Sequence, residues 1–311
     1  MTLSLQELAG KLARSSDGEP VSFNWTAPDG LVLSGDAWLP ETWQDQTTEN
    51  ALPVLCLPGL SRNTRDFQEV ANYLKQLEHP VFALDYRGRG KSAWDPDWNN
   101  YSLAVEAEDI DAAIEFLGLD RFAVLGTSRG GLHGLAMSYR YGADRMKAVI
   151  FNDIGPDVEM TGLKRIAGSL GHNMQHPALA DIADMMASAL GPQFPGFDDV
   201  HWQKLAGQLA SRHDGRYVLD YDPQLARQLD NLEDATLMPD LWPLYDRLTD
   251  RPVLVLRGEH SDILSEATCQ RMLDTHPNAT VKIIEGQGHA PVLWEPETHE
   301  AIGKFLKDCA Q

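Results

Sequence analysis

Phe122-Ala-Val-Leu-Gly126-Thr-Ser128-Arg-Gly130-Gly131 decides the reading of this chain. It opens with an apolar run of the kind that a strand buried on both faces requires. It then turns through Gly126 to Gly130 and continues from Leu132 to Tyr141 with helical character. A serine at the tip of such a strand-to-helix turn stands in a strained backbone conformation. A side chain at position 126 or 130 would crowd the neighbouring strand or helix, which explains the two glycines. The hydroxyl then projects into the mouth of the fold, and the following N–H groups point towards an incoming carbonyl. The pattern makes Ser128 a candidate nucleophile. Its rival is an ordinary strand-to-helix turn that contains a serine, and the flanking chain must decide between them.

Outward from that stretch, short apolar runs alternate with amphipathic segments. Pro53 to Leu57, Val81 to Leu84, Ala148 to Phe151, Pro252 to Leu256 and Thr280 to Ile284 read as further strands. Asp66 to Leu77, Leu103 to Leu117, Glu266 to Leu273 and Pro296 to Lys307 read as helices by their apolar spacing. Strands that alternate with helices of this length imply right-handed crossovers and a mostly parallel sheet with helices on both faces. At the N-terminal side, Val21 to Trp25 and Leu31 to Trp38 flank Pro28-Asp-Gly30 and predict an antiparallel hairpin. Residues 5–15 carry Leu5, Leu8 and Leu12 at helical spacing, and 41–50 form a polar loop.

The alternation stops after Asn152-Asp153-Ile-Gly-Pro156. Leu179, Ile182, Met186 and Leu190 repeat at helical spacing, as do Trp202, Leu205 and Leu209. Leu225, Leu229 and Leu232 follow the same rule, and so do Leu237, Leu241 and Leu244. Gly191-Pro192, Pro195-Gly196, Asp214-Gly215, Pro223 and Pro239 separate these runs. The expected organisation is an α/β core over 1–155 and 249–311 with an all-helical insert over 156–248.

Composition narrows the function classes. The 311 residues carry 26 basic and 46 acidic side chains, a net charge of −20. So acidic a chain argues against nucleic acid and anionic membranes as partners. Cys56, Cys269 and Cys309 are widely spaced and odd in number, which points to free thiols in a reducing, cytoplasmic setting rather than a disulfide framework. No spacing of Cys, His or Asp suggests a metal. No apolar run reaches 18 residues, and the N-terminus has no signal-peptide pattern.

Nucleophilic acyl transfer needs a serine, a base to take its proton and a carboxylate to hold that base. In open α/β sheets such groups gather beyond the carboxyl ends of the strands. After Leu256 comes Arg257-Gly-Glu-His-Ser-Asp262, and after Ile284 comes Glu285-Gly-Gln-Gly-His289. The chain order is therefore Ser128, Asp262, His289.

From the hairpin at residue 21 to the C-terminal helix, this pattern resembles the capped, esterase-like branch of the serine α/β-hydrolase superfamily. The resemblance implies Ser128 as nucleophile, His289 as general acid and base, and Asp262 as the carboxylate orienting it. It implies a helical cap over the site, no cofactor, and a small-molecule ester as substrate for a monomer or homodimer. It also implies an oxyanion hole from the backbone N–H groups of Arg129 and Leu60. The loop here reads Pro58-Gly59 where His-Gly is commoner, so the way it is held is open.

The candidates have rivals. His260 precedes Asp262 in one loop, while His133, His172, His176, His201 and His213 follow no core strand. Asp153 also ends a strand, and some members of the superfamily place the acid there. Glu259 is a weaker substitute. Arg62, Asn63 and Arg129 either meet a substrate carboxylate or, as preferred, brace loops. Asp85-Tyr-Arg-Gly-Arg-Gly90 reads as a loop and not a dinucleotide site. Met185, Met186 and Trp202 pack the cap or line an apolar pocket. Carbon–carbon bond hydrolysis, lactone opening and a non-catalytic ligand receptor remain the alternative functions.

Overall fold

Side chains alternate across a strand, so a fully buried strand must satisfy two cores at once. The computed structural model, which describes residues 19–41, 43, 51–171, 174–230 and 239–309, has this construction. Strands β1 (Val21–Thr26), β2 (Val32–Trp38), β3 (Val54–Leu57), β4 (Val81–Asp85), β5 (Phe122–Thr127), β6 (Met146–Asn152), β9 (Val253–Gly258) and β10 (Ala279–Ile284) form an eight-stranded sheet. Its order is β1-β2-β4-β3-β5-β6-β9-β10. β1 to β2 and β2 to β4 are antiparallel, and the remaining pairings are parallel.

The two faces are covered by different helices. Leu55, Leu57, Phe122, Val124, Val149, Phe151, Val253 and Val255 share one core with Ile110 and Ile114 of α2 (Leu103–Phe116), Leu135 of α3 (Arg129–Met137) and Met272 of α8 (Glu266–Thr275). Their sequence neighbours Val54, Cys56, Ala123, Leu125, Ala148, Ile150, Leu254 and Leu256 meet the other core. There Val70 and Leu74 of α1 (Gln68–Gln76) join Ile302 and Leu306 of α9 (Pro296–Cys309). The expected hairpin is β1–β2.

Between β6 and β9 lie α4 (Met160–Ser169), α5 (Leu179–Leu190), α6 (Asp199–Leu209) and the short α7 (Trp242–Asp246). Ile182, Met186, Phe194, Trp202, Leu205 and Leu209 give α5 and α6 their own core, closed by Val292 and Trp294 from the chain after His289, whereas Trp242 and Tyr245 of α7 pack into the first sheet core. The helices come with an antiparallel ribbon, β7 (Ala210–His213) and β8 (Arg216–Leu219), that helical spacing did not anticipate. Asp214 and Gly215 have φ of 47° and 82°. Positive φ at both positions is what a two-residue hairpin turn needs, so this Asp-Gly pair joins strands instead of separating helices. Residues 223–229, expected as helix, form a 3₁₀ segment. The expectations for 5–15, most of 41–50, His172, Leu232 and Leu237 lie outside the described residues.

Gly126 and Gly130 face each other where α3 leaves β5. A Cβ on Gly126 would strike the Gly130 backbone, and one on Gly130 would strike the Leu57 carbonyl of β3. Backbone cannot yield as a flexible side chain does. Gly130→Ala is therefore expected to cost upwards of about 4 kcal/mol, read as a collapse of the thermal melting transition.

Candidate active site

β5 ends at Thr127, and Ser128 takes φ 51° and ψ −111° before α3 begins. This strained conformation is held from the neighbouring strand, because the Ser128 N–H donates to the Asn152 carbonyl at 3.0 Å. Asn152 also donates from Nδ2 to Thr127 Oγ1 (3.0 Å) and to the Pro291 carbonyl (2.9 Å). One buried amide thus ties the serine turn to the segment that carries His289.

His289 Nε2 lies 2.9 Å from Ser128 Oγ, and His289 Nδ1 lies 2.8 Å from Asp153 Oδ2. The two residues most distant in sequence meet as expected; the carboxylate is a different one. Asp153 follows β6 directly with φ 59°, and its own N–H donates to the Leu256 carbonyl at 2.8 Å. It is fully buried. Gly258 N–H donates to Oδ1 at 2.8 Å, and Ser261 Oγ donates to Oδ2 at 2.6 Å. With His289 that makes three donors around one carboxyl, the surroundings of an acceptor-only group. Because Asp153 Oδ2 accepts from Nδ1–H, the imidazole presents the Nε2 lone pair to Ser128. The arrangement can move a proton from Oγ to Nε2 and hold the ring while it is charged.

Asp262 does not occupy that place. It faces the insert, where Arg165 of α4 binds it through two hydrogen bonds, Nε to Oδ2 at 2.6 Å and Nη2 to Oδ1 at 2.8 Å. The Gly162 N–H donates to the Asp262 carbonyl at 3.1 Å. Burial alone would raise the Asp262 carboxyl, but the guanidinium outweighs it and holds the group below the usual carboxylate range. Asp262 lies four residues beyond the end of β9, far enough for the loop to turn it outward, and so it docks α4. Asp153, kept as the rival, has no such freedom.

The other rivals take no part in this path of hydrogen bonds. His260 is exposed beside Glu259 at 3.8 Å, and Glu259 Oε2 accepts from Gly286 N–H. His133 lies on α3 itself and is buried against Glu106. Arg62 is occupied by Asp66, with Nε to Oδ2 at 2.6 Å and Nη2 to Oδ1 at 3.0 Å. Asn63 Oδ1 accepts from the Arg65 N–H, and its Nδ2 donates to the Gln208 carbonyl of α6. These are loop-bracing roles. Among the described residues no group of three His, Cys, Asp or Glu side chains is arranged to hold a metal.

The loop after β3 is held from its carbonyls. Tyr86 Oη donates to the Pro58 carbonyl at 3.2 Å, Arg89 Nε to the Leu60 carbonyl at 2.8 Å, and the Arg62 N–H to Gly59 at 3.2 Å. Tyr86 and Arg89 come from the Asp85–Gly90 loop, which thereby acquires a purpose. Sequence reading missed both, since nothing local to Pro58-Gly59 points to residues 86 and 89.

Two spaces meet at Ser128, and a third opens from the first of them. The throat, about 130 Å³, is lined by Gly59, Leu60, Ser128, His289 and, from the insert, Ile166 and Leu170. Leu60, Ser128 and Ile166 also border an apolar lobe of about 270 Å³ walled by Leu103, Leu132, Ile154, Leu163 and Ile263, which His289 does not touch. On the other side, Ser61, Arg62, Ser169 and Leu170 are shared with an outer lobe of about 420 Å³ that includes Met185, Met186 and Tyr221. Trp202, by contrast, packs the insert core.

Sheet order, crossovers and a serine turn beyond the strand ends together make this an α/β-hydrolase fold. The chain belongs to the alpha/beta hydrolase fold family, whose model matches residues 53–296, and is a hydrolase of that family. It is 28% identical over 261 residues to the 3-hydroxybutyrate-oligomer hydrolase of Cupriavidus necator, covering 82% of this chain and 87% of that one. It is 22% identical over 273 residues to esterase YbfF of Escherichia coli, covering 85% and 96%. Its structure matches an alpha/beta hydrolase from Novosphingobium aromaticivorans with a TM-score of 0.83 at 35% identity, covering 93% and 98%. Among the described residues no helix is long and apolar enough to cross a membrane.

Proposed function

We propose that this chain is a serine esterase that cleaves small to medium carboxylic esters through an acyl-enzyme, with Ser128, His289 and Asp153 as its catalytic residues. The observation that carries this is the unbroken path of hydrogen bonds from Ser128 Oγ through the imidazole to Asp153 at the floor of the throat. His289 Nε2 takes the hydroxyl proton as Oγ attacks the ester carbonyl. The oxyanion that forms is met by the N–H groups of Arg129 and Leu60. The alkoxide then leaves with the proton from Nε2, and water repeats the sequence in reverse to free the acid. An esterase and an oligomer hydrolase among the relatives agree with this reading. The insert over 156–248 serves as a cap, since Ile166, Ser169 and Leu170 wall the throat. Free thiols at Cys56 and Cys269 fit a cytoplasmic setting.

The leaving oxygen must face His289 to be protonated, so the alcohol lies on the throat and outer-lobe side. The acyl chain then enters the apolar lobe beside Leu132 and Leu163, which suits aliphatic acids. Activity on p-nitrophenyl esters from acetate to decanoate tests both points. The wild-type protein should turn over this series. Leu163→Trp, which fills the lobe, should lower kcat/KM for octanoate about tenfold relative to acetate. Inertness to the whole series would overturn the esterase reading, and an unchanged chain-length profile in Leu163→Trp would overturn the acyl-lobe assignment.

A further inference from the structure

A carboxylate buried in the protein interior is costly unless its surroundings neutralise it, so its partners disclose its purpose. Glu106 of α2 is completely buried behind α3. Its Oε2 accepts from Arg129 Nε at 2.6 Å and lies 3.0 Å from His133 Nε2. Its Oε1 is 2.8 Å from Arg89 Nη1. That contact is an ion pair without hydrogen-bond geometry, and Nη1 also donates to the Arg87 carbonyl at 2.6 Å. Burial alone would raise the Glu106 carboxyl, yet the guanidiniums of Arg129 and Arg89 overcome it and hold the group far below the usual range. Burial pushes His133 downward, so it meets Glu106 as a neutral ring that donates from Nε2.

The two arginines lead to the two backbone donors assigned to the oxyanion. Arg129 is itself the residue after Ser128, and its side chain is fixed by Glu106 and by the Tyr101 carbonyl (Nη2, 2.8 Å). Arg89 Nε holds the carbonyl of Leu60 at 2.8 Å. Resting on the esterase reading, we propose that Glu106 is a positioning residue that sets the spacing of the oxyanion hole, anchoring its Arg129 side directly and its Leu60 side through Arg89. Remove the charge, and two guanidiniums are left facing each other in the interior with no counter-ion. They relax by moving apart, and each carries one donor with it. An oxyanion exists only in the transition state, so the loss falls on kcat and leaves substrate binding alone.

The test is Glu106→Gln, of the same shape and without the charge. It should lower kcat for p-nitrophenyl butyrate by about 10–100-fold, less than the loss of a whole donor. KM should stay within about threefold, and Ki for a phenylboronic acid that adds to Ser128 should rise by the same factor as kcat falls. A merely structural role would not make kcat and the boronate Ki move together. If Glu106→Gln does not fold by its melting curve, Arg129→Lys replaces it, keeping the charge and losing the Nε bond; the same split is expected, smaller. A kcat within about threefold of wild type, or a fall in kcat with the boronate Ki unchanged, overturns the proposal. Wild-type protein that neither turns over the ester nor binds the boronate overturns the esterase reading itself, and this one with it.

Discussion

Asp153→Asn is expected to lower kcat by about 10⁴-fold while KM and the melting temperature change little. The reason lies in what else the carboxyl serves. The Gly258 N–H points at Oδ1, so an asparagine must keep its oxygen there and turn its NH₂ towards Ser261 and His289. An NH₂ facing Nδ1 donates to it, which forces the imidazole into the tautomer protonated at Nε2. That tautomer has no lone pair for the proton of Ser128. Asp262→Asn provides the contrast. It weakens a partly exposed ion pair with Arg165, worth about 0.5–1 kcal/mol of stability at most, and leaves kcat within a few-fold. Steady-state kinetics of both variants on one ester check this. A large loss in Asp262→Asn with near-normal turnover in Asp153→Asn would show the acid to be misassigned.

Ser128→Ala removes the nucleophile, and kcat is expected to fall by about 10⁶-fold. The fold should survive, because alanine keeps the Cβ that the serine turn already accommodates and the N–H that binds Asn152. Binding should survive too, since the throat and apolar lobe lose a single hydroxyl and keep the rest of their walls. The variant should therefore hold an ester substrate without cleaving it, which equilibrium binding alongside a turnover assay would reveal. A non-catalytic receptor predicts something different, with wild type and variant binding alike and neither turning over.

The sheet was legible because fully buried strands leave unbroken apolar runs that local composition cannot hide, as at Val54–Leu57 and Phe122–Leu125. The serine turn was legible because two backbones approach too closely for any residue but glycine at 126 and 130. The choice between Asp153 and Asp262 was not legible. Both follow strands, and what separates them is Arg165, 97 residues earlier than Asp262, which draws that side chain into the insert. The Asp214-Gly215 turn is visible but reads as a helix boundary, since the short strands beside it, Ser211-Arg-His213 and Arg216-Tyr-Val218, lack a buried apolar face. Glu106 carried no local mark either. A glutamate on an amphipathic helix is ordinary, and only the three-dimensional meeting of Arg89, Arg129 and His133 around it gives it meaning.

The most direct test of the account is to react the protein with a fluorophosphonate, follow the rate by intact mass, and locate the adduct by peptide mapping. One adduct per chain on Ser128 is expected, formed at a near-normal rate in Asp262→Asn and far more slowly in Asp153→Asn and His289→Gln. An adduct on another residue, or labelling as fast in Asp153→Asn as in wild type, would contradict it.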